Sequence, residues 1–268
     1  MLVLTETGPP YLMPKNNNHI QEKELSIHSF VNGFSFCTTN GPHFFPTPSP
    51  EEPFTVLLEK FLKTNKTIEH FSWVSYEYPS LFVPDKYYHE DHKDRYIEHY
   101  TNHLETFKPN ADFLKDHSLY NVYPQIKDLK KALDSKGFSF RFSHANTLIF
   151  NAIYKSIDKQ LDEKRFYIHL QKHAFDLFIF EGKHLQLCNR FEFKTTDEFL
   201  YFLFFVIEQY QLEPDQFSII FLGQFAAFRS IYKAVKLYHK SVSFLDSETH
   251  SIMPLRKHQA PFLINLSN

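Results

Sequence analysis

A chain of 268 residues suffices for one large or two medium domains and buries roughly 70% of its unfolded surface. Its 29 basic and 31 acidic residues nearly cancel, so no overall field draws it to nucleic acid or anionic lipid, and a nucleic-acid partner is not expected. Phe alone accounts for 31 residues, a usage that fills cores and interfaces rather than stacking on bases.

Residues 1–23 lack a basic start followed by an apolar core, so they read as a loose, flexible tail rather than a secretory signal. The two cysteines, Cys37 and Cys188, each fall in a predicted strand with no second thiol nearby, which suits a reducing, cytoplasmic setting. The longest apolar run, residues 199–207, is far below the roughly 20 residues of a bilayer span.

Residues 24–38 read as a β-hairpin, with Asn32-Gly33 as a two-residue turn. Residues 41–53 carry prolines at 42, 46, 48, 50 and 53, so they are expected to be extended or looped ahead of a helix over 53–63. Phe54, Leu57, Leu58, Phe61 and Leu62 share one face of that helix. Residues 71–78 alternate as a strand stopped by Pro79, and 81–84 open an irregular link into a polar helix over 91–104. A strand over 119–123 ends at Pro124, a helix over 127–133 has Gly137 just past its end, and a strand over 138–142 leads to a helix over 146–160.

The stretch 165–210 is the most legible. Phe166, Ile168 and Leu170 alternate with Tyr167 and His169, residues 174–180 form a second apolar run, and Glu181-Gly182-Lys183 turns into a third strand over 184–191. Thr195 precedes Glu198 by three residues, the spacing at which hydroxyl and carboxylate cap each other's backbone N–H groups, so a helix should start at Thr196. A buried strand over 217–222, a helix over 225–239 and a short strand over 242–245 follow, and 261–266 read as an added edge strand.

An Ile-His pair, Ile27-His28 and Ile168-His169, lies in the first strand of each meander. Meander, helix, strand, helix and strand thus occur twice, which predicts a duplicated α/β fold with mixed sheets covered by helices. The predicted divisions are a first lobe over 24–145, a connecting helix over 146–160 and a second lobe over 161–268.

The phrases ELSIHSFVNGFSFC, SLFVPDKYY, FIFEGKHLQLCNRFEFKTTDEFLYFLFFVIEQYQLEP and IIFLGQF resemble an uncharacterised bacterial family with the actin-like ATPase fold, the ribonuclease H-like duplication of actin, sugar kinases and Hsp70. The element order is also similar to that of the pilus-assembly members of that superfamily, which use the fold for partner binding as much as for catalysis. The resemblance implies two phosphate-binding turns, each with an Asp and a Gly at the end of the first strand of a lobe. His28 and His169 stand at those two positions, and the residues that follow them, 29–31 and 170–172, contain no Gly. Gly223 resembles the first of two glycines that meet the adenosine in active relatives, with Gln224 in place of the second.

A vestigial nucleotide cleft is therefore expected at His28, His169 and Gly223, with no catalytic residue, no cofactor and no metal. Gly8, Gly33, Gly41, Gly137 and Gly182 are allotted to the tail, turns, a loop and a helix end. His92, His99 and His103 share a helix face, and His99 with His103 has the four-residue spacing that can chelate a metal, but the Lys93, Asp94, Arg95 and Glu98 around them favour a solvated surface. No G-x-S-x-G, Walker, H-E-x-x-H or Rossmann motif occurs. The sequence favours a catalytically silent relative that binds an unidentified protein partner; the alternative is an ATPase or kinase of the same fold with displaced nucleotide contacts.

Overall fold

The computed structural model describes residues 24–30, 32–38, 41–46, 54–66, 68–98, 107–127, 129–157, 163–245, 260 and 262. The chain opens with an antiparallel meander, β1 (Glu24–Phe30), β2 (Gly33–Thr38) and β3 (Gly41–Pro46), then α1 (Phe54–Thr64) and β4 (His70–Ser75). After an inserted segment come α3 (Leu129–Ser135), β8 (Phe140–His144) and α4 (Ala145–Ser156). A second meander follows as β9 (Lys164–Leu170), β10 (Ala174–Glu181) and β11 (His184–Glu192), then α5 (Thr196–Gln209), β12 (Phe217–Leu222), α6 (Arg229–Tyr238) and β13 (Val242–Leu245).

The first sheet has the order β3-β2-β1-β4-β8 and the second β11-β10-β9-β12-β13, so the two match strand for strand. In each, the meander is antiparallel and its first strand takes a parallel neighbour on the other side, which in turn pairs with a parallel outer strand. The two Ile-His pairs thus lie at the same place, in the central strand of each sheet. Strands β1, β2, β9 and β10 are buried along nearly their whole length, and β10 accordingly reads as a near-continuous apolar run interrupted by Asp176.

The inserted segment carries β5 (Leu81–Pro84), the short helix α2 (Lys93–Ile97), β6 (Phe107–Leu114) and β7 (Leu119–Ile126). Its three strands form a separate antiparallel sheet in the order β5-β7-β6. Several sequence expectations are corrected here. The supposed link over 81–84 is a strand, and β7 continues through Pro124 because that residue faces Pro109 of β6. Antiparallel partners alternate between pairs that exchange hydrogen bonds and pairs that do not, and only the latter tolerate proline on both strands.

Strand β6 itself, with Pro109, Asn110 and Asp112, has no alternation to betray it and exists through its pairing with β7. Gly41 begins a strand rather than lying in a loop. The hairpin pairs Phe30 with Gly33, so Gly33 starts β2 rather than lying within the turn. The helix expected over 225–239 begins as a 3-10 turn, Ala226–Phe228, before α6. Of the polar helix expected over 91–104, the described residues hold a 3-10 turn, Glu90–His92, followed by α2; residues 99–104 and most of 261–266 lie outside the described residues.

Three larger apolar cores hold these layers. One joins the first sheet to α1 and α3 through Ile27, Phe36, Leu58, Trp73 and Leu133. A second joins the second sheet to α5 and α6 through Phe166, Phe175, Phe199, Leu203 and Val235. The third lies between the sheets, where Phe30, Val74 and Tyr76 meet Tyr167, Phe178, Phe180 and Leu222 around the α4 residues Ile149, Phe150 and Ile153. Among the described residues no helix is long and apolar enough to cross a membrane.

Candidate functional site

Strand periodicity decides what the inner face of each sheet presents. In β1, Leu25 and Ile27 go to the core with α1, which leaves Ser26, His28 and Phe30 on the face toward the second sheet. In β9, Phe166, Ile168 and Leu170 go to the core with α5, which leaves Tyr167 and His169 facing the first. His28 and His169 are each fully buried.

The ring of Tyr76, just beyond β4, lies between them, with centroids 5.4 Å from His28 and 6.4 Å from His169. Tyr76 stacks on Phe30 at 4.7 Å, and Phe262 reaches His169 at 6.4 Å from the other side. Tyr76 and Phe262 are 2% and 1% exposed, so the space between the central strands is packed with aromatic rings. Gly223 ends β12 at φ +74°, where a Cβ would overlap the Phe225 ring and sit 3.4 Å from Phe262. Positive φ and two close rings both require glycine there.

The two histidines differ in their polar partners. His28 Nε2 is 3.1 Å from Ser26 Oγ and its Nδ1 is 3.3 Å from the Tyr76 hydroxyl, all neutral groups. His169 Nδ1–H donates to Asp176 Oδ2 at 3.0 Å, and Gln171 Nε2 donates to the same oxygen at 2.8 Å. Arg190 Nε donates to Asp176 Oδ1 at 2.7 Å and Nη2 to Oδ2 at 3.3 Å. Burial alone would raise the Asp176 carboxyl, but the Arg190 charge and the His169 hydrogen bond outweigh it and hold the group below the usual carboxylate range. The third guanidinium nitrogen, Nη1, donates to the Tyr76 carbonyl, so Arg190 ties the second sheet to the end of β4. His169 Nε2 has no hydrogen-bond partner among the described residues.

A second polar seam runs beside this one. His144 caps α4 by accepting the Asn146 N–H on Nδ1 at 3.0 Å, while its Nε2–H donates to the Tyr78 carbonyl at 2.9 Å. Acceptance on Nδ1 requires the neutral ring, and burial followed by the Arg190 charge pushes its pKa down to about 4. The Asn146 amide donates to Ser80 Oγ at 3.0 Å and to Cys188 Sγ of β11 at 3.7 Å, a further tie between the halves. Asp112 of β6 accepts from the Thr147 hydroxyl at 2.6 Å, the His144 N–H at 3.0 Å and the Tyr123 hydroxyl at 2.8 Å, which anchors the inserted sheet to the start of α4. The Cys188 thiol is driven up by burial and then by Asp176, so it is a poor nucleophile.

The family model that describes "Protein of unknown function (DUF3822)" matches residues 13–242. The chain belongs to that family. A Bacteroides thetaiotaomicron protein described as having an actin-like ATPase fold and unknown function is similar over 84% of this chain and 91% of its own, with a TM-score of 0.67 and 18% identity. The structure described as the PilM-PilN type IV pilus biogenesis complex is similar over 92% of this chain and 98% of its own, with a TM-score of 0.56 and 10% identity. Comparison with curated proteins gave no match. This family member therefore has the actin-like ATPase fold.

The structure brings His28, His169 and, through Phe262, Gly223 to one buried locus. Of the histidines His92, His99 and His103, the last two lie outside the described residues. Among the described residues no group of three His, Cys, Asp or Glu side chains is arranged to hold a metal ion. Sequence reasoning missed Tyr76, Asp176, Arg190 and Phe262. One signal was available: Asp176 interrupts the apolar run 174–180, and a carboxylate inside a doubly buried strand needs a cationic partner.

Proposed function

We propose that this chain is a catalytically silent actin-like ATPase relative that serves as a binding, scaffold or regulatory module. The observation that carries this reading is the packing of Tyr76 between His28 and His169, with Phe262 against His169, where the resemblance would put phosphate-binding turns. Backbone N–H groups can meet a triphosphate only where side chains stay out of the way. Imidazoles in place of acids, turned to neutral or anionic neighbours, also remove the groups that would order a hydrated Mg2+.

The Arg190 contact with Tyr76 and the Asn146 contact with Cys188 support the same reading, because protein groups alone tie the halves to each other at these points. A fixed two-part scaffold is suited to presenting a surface. Calorimetric titration with Mg-ATP is the direct test: no saturable heat is expected. Binding with a micromolar dissociation constant that EDTA abolishes would overturn the proposal. Substituting Asp at His28 and His169 is expected to leave turnover absent, because Tyr76 and Phe262 still fill the space.

A further inference from the structure

Helices α5 and α6 cover the outer face of the second sheet and share one apolar core. Each runs from the end of one strand to the start of another parallel to it, α5 from β11 to β12 and α6 from β12 to β13, so the two helices point the same way. Phe204 meets Tyr238 edge-on at 5.5 Å, which sets the helices side by side. In α5, Phe199, Leu203, Val206 and Ile207 turn to the core, and the opposite stripe is Asp197, Tyr201, Phe205 and Glu208. In α6, Ile231, Tyr232 and Val235 turn inward, and the opposite stripe is Arg229, Lys233 and Leu237, with Lys240 just past the helix end. Every residue of both stripes is exposed.

The two stripes share one spacing and carry opposite charge at both ends. Residues 194–215 hold five acids and one base, Lys194, while 225–245 hold four bases, Arg229, Lys233, Lys236 and Lys240, and no acid. Among the described residues no ion pair joins the two helices or engages either stripe. Tyr201 is 64% and Leu237 84% exposed, so neither gains much from the fold that carries it. The corresponding layer of the first half is finished differently. There Lys136 pairs with Glu59 of α1 at 2.9 Å and Lys130 with Asp134 at 2.6 Å, and Val56 is the one exposed large apolar side chain of α1 and α3 among the described residues.

We propose that the α5–α6 face binds the same face of a second copy of this chain about a two-fold axis parallel to the helices. That axis lays each α5 on the α6 of the other copy, running in the same direction. Asp197 then meets Arg229, Glu208 meets Lys240, Phe205 meets Leu237 and Lys233 comes over the Tyr201 ring, each contact occurring twice. A two-fold axis across the helices would set α5 on α5 and α6 on α6, acid against acid and base against base, so the charges disfavour it. Helices of 14 and 10 residues side by side present a face of about 20 by 20 Å, at the low end of specific interfaces, so a reversible dimer rather than an obligate one is expected. The inference goes beyond the silent-module reading and does not depend on it.

Sedimentation equilibrium of the full chain from micromolar to millimolar concentration should show monomer and dimer in exchange, with the dimer weakened by added salt. Asp197→Lys with Glu208→Lys gives both stripes basic ends, and Arg229→Glu with Lys240→Glu gives both acidic ends. Each double variant should raise the dissociation constant about tenfold or more, because four end contacts of the dimer change from attraction to repulsion. An equimolar mixture of the two variants should recover the wild-type affinity, since every basic end then finds an acidic one, and that recovery also shows both variants to be folded. All four substitutions in one chain exchange the two stripes. That chain should dimerise with itself and not with the wild type.

A chain that stays monomeric through that range, or a dimer indifferent to both double variants, would overturn the proposal. So would a mixture that fails to recover while each variant keeps its wild-type circular dichroism. Pairing of the fourfold variant with the wild type would overturn the assigned axis, because it requires like helices to meet. A monomer that binds anionic vesicles through this face would overturn the proposal by giving the face to a membrane surface. The Mg-ATP titration bears on the silent-module reading alone, so the two ideas fail separately.

Discussion

The two central histidines occupy equivalent places in sheets of identical strand order, and the ladders around them line up residue for residue. His28 faces Ser35 on β2, which faces Phe44 on β3. His169 faces Asp176 on β10, which faces Arg190 on β11. One half fills the three positions with neutral groups and the other with a buried ion pair. The Ser35 hydroxyl has no hydrogen-bond partner among the described residues, whereas both Asp176 oxygens are engaged. The fold therefore does not need the ion pair to form a sheet. What the charged half adds is reach: Arg190 extends beyond its own sheet to the Tyr76 carbonyl.

That contrast can be broken most strongly at Asp176. Asp176→Ser gives the second half the first half's residue and strands a guanidinium that is 7% exposed, so a loss of about 3–5 kcal/mol is expected from urea denaturation. Arg190→Phe in the same chain completes the first half's pattern and should recover part of that loss. A double-mutant cycle with no coupling between the two positions would mean that the pair does not act as a unit.

The next effect is on pH dependence. His144 in the folded chain has its pKa lowered to about 4, so between that value and the ordinary histidine range the unfolded state binds the extra proton and stability rises with pH. The group is fully buried, and the shift amounts to about 3 kcal/mol, present in full above pH 7 and lost as pH falls toward 4. Glu77 acts in the opposite sense. Burial raises its carboxyl to about 7, against a hydrogen bond from Ser29, so its contribution declines as pH rises from 4.5 to 7. His144→Asn, which keeps a good capping side chain, should therefore turn a shallow profile into one that falls steadily with pH. Melting temperatures across that window provide the check, and Glu77→Gln should tilt the profile the other way.

The smallest effect compares the helix caps of the two halves. Thr195 Oγ1 accepts the Glu198 N–H at 3.2 Å and Glu198 Oε2 accepts the Lys194 N–H at 2.7 Å, both at exposed positions. Thr195→Ala should cost about 0.5–2 kcal/mol and leave the pH profile unchanged. His144→Ala at the start of α4 should cost more, because it also leaves the Tyr78 carbonyl without its donor in a buried place. Equal losses at the two caps would show that burial adds nothing to capping here.

The local order of residues was enough for everything that depends on neighbours in the chain. Alternation marked β9 to β11, the Thr195 and Glu198 spacing marked the start of α5, and Gly137, Gly182 and Gly223 marked turns where the backbone adopts positive φ. The repeated Ile-His pair revealed the duplication, because the same strand buried on both faces demands similar residues twice. What only the tertiary structure decided depends on partners far apart in sequence. Strand β6 exists because β7 pairs with it, and Pro124 is tolerated because Pro109 faces it. The interior between the halves is assembled from Tyr76, Asp176, Arg190 and Phe262, separated by up to 186 positions, and no periodicity links residues so distant. Folding alone brings a ring, a guanidinium and a carboxylate to one buried place, where desolvation makes each dependent on the others.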